Sequence, residues 1–141
     1  KTVIDYLKYN LRSQMFAKAL PMVNTIGARK RLDLLKKHPE YKDKLWEIAN
    51  ALQSGFKKAG FDIIDGDSAI VPVMLYDAKL SQIMADELLK KGIYVIGFFY
   101  PVVPKDKARI RVQLSAAHNK EHLDKAIAAF TEVGKSLNII K

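Results

Sequence analysis

Cysteine is absent from the 141 residues, which excludes both a disulfide framework and a thiolate metal site and suits a reducing cytosol. Histidine is nearly absent too. Of the three, His118 and His122 stand four apart, but His118 precedes the expected helix cap Asn119 and so lies off the helix. Capping or turn roles are expected for both, and no metal is expected. No apolar run approaches the roughly 20 residues that span a bilayer, and the first residues do not resemble a charged leader before an apolar stretch. The expectation is a soluble, cytoplasmic protein with no membrane partner. There is no glycine-rich phosphate loop, no internal repeat and no low-complexity linker. Acidic residues are also short, 15 against 24 lysines and arginines, for a net charge of +9. Such an excess gathers anions near the surface and would suit nucleic acid or another polyanion. The lysines, however, are scattered along helix faces at Lys57 and Lys58, Lys90 and Lys91, and Lys120 and Lys125, as on a solvated basic surface. No nucleic-acid partner is expected.

What is present is a hydrophobic content of 49%, enough at this length for one ordinary core. The first residue is Lys1, and Val3, Ile4 and Leu7 already repeat at helical spacing after only Thr2 as a cap, so the chain is expected to be cut from something longer. A helix over Thr2 to Tyr9 leads into an aperiodic stretch from Leu11 to Leu20. Pro21 suits a first helical turn, and the helix it opens should end near His38-Pro39, because the residue before proline avoids helical backbone. The next helix carries Leu45, Ile48, Ala49, Leu52 and Phe56 on one face, with Gly60 at its left-handed C-cap. The period then changes. Phe61 to Ile64 and Ala69 to Tyr76 read as strands around the turn Asp65-Gly66-Asp67, and Pro72 puts the second at an edge or a bulge. Asp77 should cap a helix with Leu80, Ile83, Met84 and Leu88 inward, closed by Gly92. Strands are expected at Ile93 to Tyr100 and Ala108 to Ser115, joined by the extended loop Pro101-Val102-Val103-Pro104. Asn119 caps a last helix with Leu123, Ala126, Ile127, Phe130 and Val133 on its buried face. The fold class is α+β, a small, mostly antiparallel sheet covered on one face by helices.

Three patterns could carry chemistry. Arg109-Ile110-Arg111-Val112-Gln113-Leu114-Ser115 alternates, so Arg109 and Arg111 share one face of a strand. Fixed guanidinium forks suit a carboxylate or phosphate, while an exposed antiparallel face looks the same, and periodicity does not decide between them. Ser54 and Lys57 have serine-x-x-lysine spacing, but Phe56 lies on the buried stripe and the companion motifs are missing, so an exposed helix face is expected. Phe98, Phe99 and Tyr100 beside a basic strand are the basis of an alternative reading, an RNA-binding α+β module. Consecutive aromatics cannot share one face, however, and buried strand positions account better for most of them.

Specific segments go further than spacing. Gly97-Phe98-Phe99-Tyr100-Pro101-Val102-Val103-Pro104-Lys105 and Ala108-Arg109-Ile110-Arg111-Val112-Gln113-Leu114-Ser115-Ala116-Ala117-His118 resemble the C-terminal signature of the α-oxoamine synthases, a family of fold type I pyridoxal-phosphate enzymes. Ala69-Ile70-Val71-Pro72-Val73-Met74-Leu75 and Leu88-Leu89-Lys90-Lys91-Gly92-Ile93-Tyr94-Val95 are similar to the same family, and the likeness runs from about Val3 to Leu137. The resemblance implies a segment at 1–37 entering from a large cofactor domain, a C-terminal small domain at 38–141, and a homodimer whose subunits share active sites. It implies pyridoxal 5'-phosphate as cofactor, bound mainly outside this chain, and acyl-CoA and amino-acid substrates. The reaction implied is condensation of acetyl-CoA with glycine to 2-amino-3-ketobutyrate and CoA. A serine palmitoyltransferase-like or 8-amino-7-oxononanoate synthase-like activity is the alternative. Arg111 is implied to read the amino-acid carboxylate, and Tyr100 and Val102 to line the approach of the acyl thioester. The Schiff-base lysine motif is missing from the chain, so no catalytic residue is assigned and the chain alone is expected to be inert. Where relatives carry small hydroxyl residues toward the cofactor phosphate, Ala17 and Ala19 stand here, and Lys18 could supply charge instead.

Overall fold

A computed structural model describes the backbone of residues 1–15 and 19–141. The expected cofactor contact at Lys18, with its neighbour Ala17, lies outside the described residues. The chain divides into two compact units, Lys1–His38 and Pro39–Lys141.

The first unit is helical: α1 at Thr2–Asn10, α2 at Arg12–Met15 and α3 at Met22–Lys37. Pro21 is the N-cap of α3 rather than part of its first turn, and its carbonyl accepts from the amides of Asn24 and Thr25. At the other end His38 leaves helical geometry ahead of Pro39, as the pre-proline clash requires. Neither α1 nor α3 buries a residue.

The second unit holds the core. Helix α4 (Glu40–Ala59) buries Ile48, Ala49, Leu52 and Phe56 and ends at Gly60, whose φ of 95° is the left-handed geometry that a Cβ disfavours. Strand β1 (Ile70–Tyr76), helix α5 (Ala78–Lys90), the two-residue β2 (Gly97–Phe98), β3 (Ala108–Gln113) and helix α6 (Lys120–Ser136) complete it. The strands form one antiparallel sheet in the order β1-β3-β2, with Val71 opposite Val112 and Val73 opposite Ile110. These residues, with Leu75, face α4, α5 and α6 and meet Phe56, Met84, Leu88, Leu123, Phe130 and Val133 in a single cluster. Phe130 lies 4.7 Å from Phe56 with the rings tilted by 38° and meets Phe61 edge-on at 6.1 Å. Pro72 sits in the edge strand, which is also bulged between Met74 and Tyr76.

Three further expectations are corrected. Phe61 to Ile64 is not a strand. Phe61 donates back to Phe56 to close α4, leaving one bridge at Ile63 and Val73 before the chain bends at Asp67. Ile93 to Tyr100 shrinks to Gly97–Phe98, because the Ile93 amide closes α5 on Leu88 and the Phe99 carbonyl turns the chain by accepting from Val102 and Val103. On α5, Ile83 points outward, and the position that is fully buried beside Met84 is Ser81, whose hydroxyl is satisfied by the Ala78 carbonyl at 2.7 Å.

Candidate functional site

The outer face of the sheet, away from the helices, is built by register. Phe98 lies opposite Arg109 and Met74 opposite Arg109 from the other side, while Pro72 lies opposite Arg111. Cross-strand partners point the same way, so Phe98, Arg109, Arg111, Pro72 and Met74 share this face. The two arginines separate here. Arg109 is half-buried, and its Nε donates to the Lys107 carbonyl at 3.1 Å, tying it into the loop. Arg111 is exposed and lies over the Phe98 ring, 5.9 Å from its centroid. Among the described residues no carboxylate or carbonyl pairs with its guanidinium. A guanidinium that stacks on an aromatic face keeps its edge N–H donors free for a planar anion.

Arg111 opens on a cleft of about 770 Å³ that exists because β2 leaves β3 after two residues. Its floor is apolar, with Leu52, Val112 and Leu123, and Lys125 and His122 stand on its wall, with no acidic residue in the lining among the described residues. The two histidines take turn and capping roles. His118 Nδ1 accepts from the Ser115 amide, and His122 forms a reciprocal capping box with Asn119. No group of residues suited to a metal ion occurs among those described. Lys57 is ion-paired to Asp65 at 2.6 Å, which leaves the serine-lysine spacing with Ser54 as a surface feature.

Tyr100 and Val102 lie on the loop between β2 and β3, both well exposed. The Lys105 ammonium sits 5.4 Å from the Tyr100 ring centroid, and Val102 donates to the Phe99 carbonyl. Neither residue lines the cleft beside Arg111. At the far end of β1, Tyr76 has a φ of 65° and donates its hydroxyl to the Asp62 carboxylate, with the Lys107 ammonium 5.6 Å from its ring centroid. The hydrogen bond to Asp62, then desolvation and the neighbouring negative charge, raise the Tyr76 pKa above its ordinary value. The residue whose place beside Arg111 sequence reasoning missed is Phe98, weighed only as a strand-core aromatic or a base-stacking ring. Its signal was the two-residue period shared with the arginines, which becomes readable only when the register of β2 on β3 is known.

The family model for class I and II aminotransferases matches residues 1–130. The chain is 44% identical over 140 residues to 2-amino-3-ketobutyrate coenzyme A ligase of Escherichia coli, covering 99% of this chain and 35% of that protein. It is equally 44% identical to 8-amino-7-oxononanoate synthase of Thermosipho melanesiensis, covering 99% of this chain and 36% of that one. A solved serine palmitoyltransferase from S. paucimobilis, with a bound PLP-myriocin aldimine, superposes with a TM-score of 0.86 at 27% identity, over 99% of this chain and 36% of that one. The chain thus spans about a third of the length of the curated relatives it matches. It belongs to the class I and II aminotransferase family, whose cofactor is pyridoxal phosphate.

Proposed function

We propose that this chain forms one wall of the amino-acid site in an enzyme that condenses acetyl-CoA with glycine. The glycine Cα–H bond breaks and a C–C bond forms between Cα and the acetyl carbonyl carbon, the thioester C–S bond breaks, the proton lost from Cα balances the one that CoA gains in leaving as the thiol, and the product is 2-amino-3-ketobutyrate. The observation that carries this reading is the guanidinium of Arg111, which lies over the Phe98 ring on a strand beside an apolar cleft and has no carboxylate or carbonyl partner among the described residues. In this role Arg111 grips the amino-acid carboxylate bidentately and holds the Cα at a constant distance and angle from the reacting thioester. Tyr100 and Val102 line the approach of the acyl group, residues 38–141 act as the small domain, and two subunits pair in the whole cytoplasmic protein. The 44% identity to the Escherichia coli ligase supports the choice of acetyl-CoA and glycine.

Pyridoxal 5'-phosphate is the cofactor of this family and supplies the electron sink for carbanions at Cα. The described residues do not fit as its cradle. Their lysines are exposed, apart from Lys91, which is partly covered and pairs with Glu132 at 2.6 Å, whereas a Schiff-base lysine works desolvated. What these residues offer is substrate recognition alone.

The equal identity to the 8-amino-7-oxononanoate synthase favours a second reading, another amino acid and a longer acyl-CoA on the same wall. The test is CoA release by the native-length protein, loaded with pyridoxal phosphate and given acetyl-CoA with glycine, alanine or serine. Release with glycine alone is expected, and release only with another amino acid or a longer acyl-CoA would select the second reading. In the same assay Arg111→Ala should raise the amino-acid KM about 10- to 100-fold, the size of a lost charge-assisted hydrogen bond. An unchanged KM would remove Arg111 from the site.

A further inference from the structure

We infer that Phe98 is a positioning residue for Arg111, an inference that rests on the carboxylate-binding role proposed for that arginine. Phe98 is directly opposite Arg109, so Arg111 is its diagonal neighbour, a separation that an aromatic ring and a long side chain can bridge. The guanidinium lies over the Phe98 ring, while Arg109 is turned away toward the Lys107 carbonyl. Phe98 is itself held in place. It belongs to the hydrogen-bonded pair of β2 residues, and at Gly97 the strand approaches α5 so closely that a Cβ there would stand 2.9 Å from the Ser81 carbonyl oxygen. The ring is thus a fixed shelf for a side chain that otherwise has many rotamers and no other anchor among the described residues. Ordering it before the substrate arrives removes that entropic penalty from the binding step. The uses of the two arginines follow: Arg109 braces the loop, and Arg111 is held over the ring with its donors unclaimed among the described residues.

The experiment uses the native-length protein loaded with pyridoxal phosphate and the variants Phe98→Leu and Phe98→Met, which remove the ring while nearly keeping the volume, together with Phe98→Tyr, which keeps the ring. The expected result for Leu and Met is a rise of about 3- to 10-fold in the amino-acid KM, as loss of a partly exposed cation–π contact would give. The amino-acid dissociation constant measured by calorimetry should rise equally, while kcat and the acyl-CoA KM stay within about twofold. Phe98→Tyr should restore wild-type values. On an Arg111→Ala background Phe98→Leu should add nothing further, because the ring acts only through that guanidinium. If Arg111→Ala raises the KM but Phe98→Leu and Phe98→Met do not, or if the two changes add independently, the positioning role is overturned and the carboxylate role stands. If Arg111→Ala itself has no effect, the carboxylate role fails and takes this inference with it.

Discussion

Arg109 and Arg111 are two residues apart on one strand face, chemically identical and alike in the alternation of the sequence, yet their surroundings give them different work. A carbonyl from the β2–β3 loop holds one, and an aromatic ring from the neighbouring strand holds the other. Nothing within β3 itself encodes that difference, since both partners come from other segments. Tyr76 shows the same dependence on partners distant in sequence, because Asp62 is fourteen residues away. Its raised pKa sets the sign of a pH effect. The stability that the neutral phenol contributes through Asp62 is fully present below the ordinary tyrosine value of about 10 and is lost as the pH rises through the higher folded value. In an alkaline titration followed by phenolate absorbance, Asp62→Asn should shift one phenol to lower pH. Superimposable curves for the two proteins would show that the Tyr76 hydroxyl does not bond to Asp62.

At the scale of elements, the helices of the second unit were legible because their signals are local. Asp77 accepts from the Leu80 amide at 2.6 Å, Asn119 accepts from the His122 amide at 3.0 Å, and Gly60 and Gly92 take positive φ at the ends of α4 and α5. The strands were less legible. The apolar run from Ile93 onward has strand composition throughout, but its first amide belongs to the end of α5 and its last residues belong to a turn, so only Gly97 and Phe98 pair. Strand propensity describes a surface that can pair, and pairing needs a partner in register. Gly97 marks where β2 and α5 touch. Gly97→Ala should destabilise the protein by about 1–3 kcal/mol, because its Cβ would meet the Ser81 backbone rather than a flexible side-chain tip. A denaturant midpoint equal to wild type would mean that the strand can move off α5 freely.

For the whole molecule, the two units differ in how they are stabilised. Every member of the main apolar cluster, from Ile48 to Ile140, lies in residues 39–141. Helices α1 and α3 bury none of their residues and leave Val3, Ile4, Val23 and Ile26 largely exposed. Isolated helices of about this length that bury none of their side chains gain little beyond their own propensity and are close to marginal in water. Residues 39–141 produced alone should therefore unfold cooperatively on heating, and residues 1–38 alone should show weak helicity by circular dichroism. A gradual melt of 39–141 would mean that its core depends on the preceding helices.

By itself the sequence determined the helix boundaries set by Pro39, Gly60, Asp77 and Asn119, the α+β class, the alternation that turns Arg111 away from the core, and the segments that resemble the family. These follow from steric and hydrogen-bonding preferences acting within a few residues, or from the identity of contiguous motifs. Only the tertiary structure decided which arginine is free, that Phe98 lies beneath it, that Ser81 rather than Ile83 is buried on α5, and that the divergence of β2 from β3 opens a cleft beside Arg111. Each of these depends on strand register or helix rotation, which is settled by packing among segments far apart in the chain.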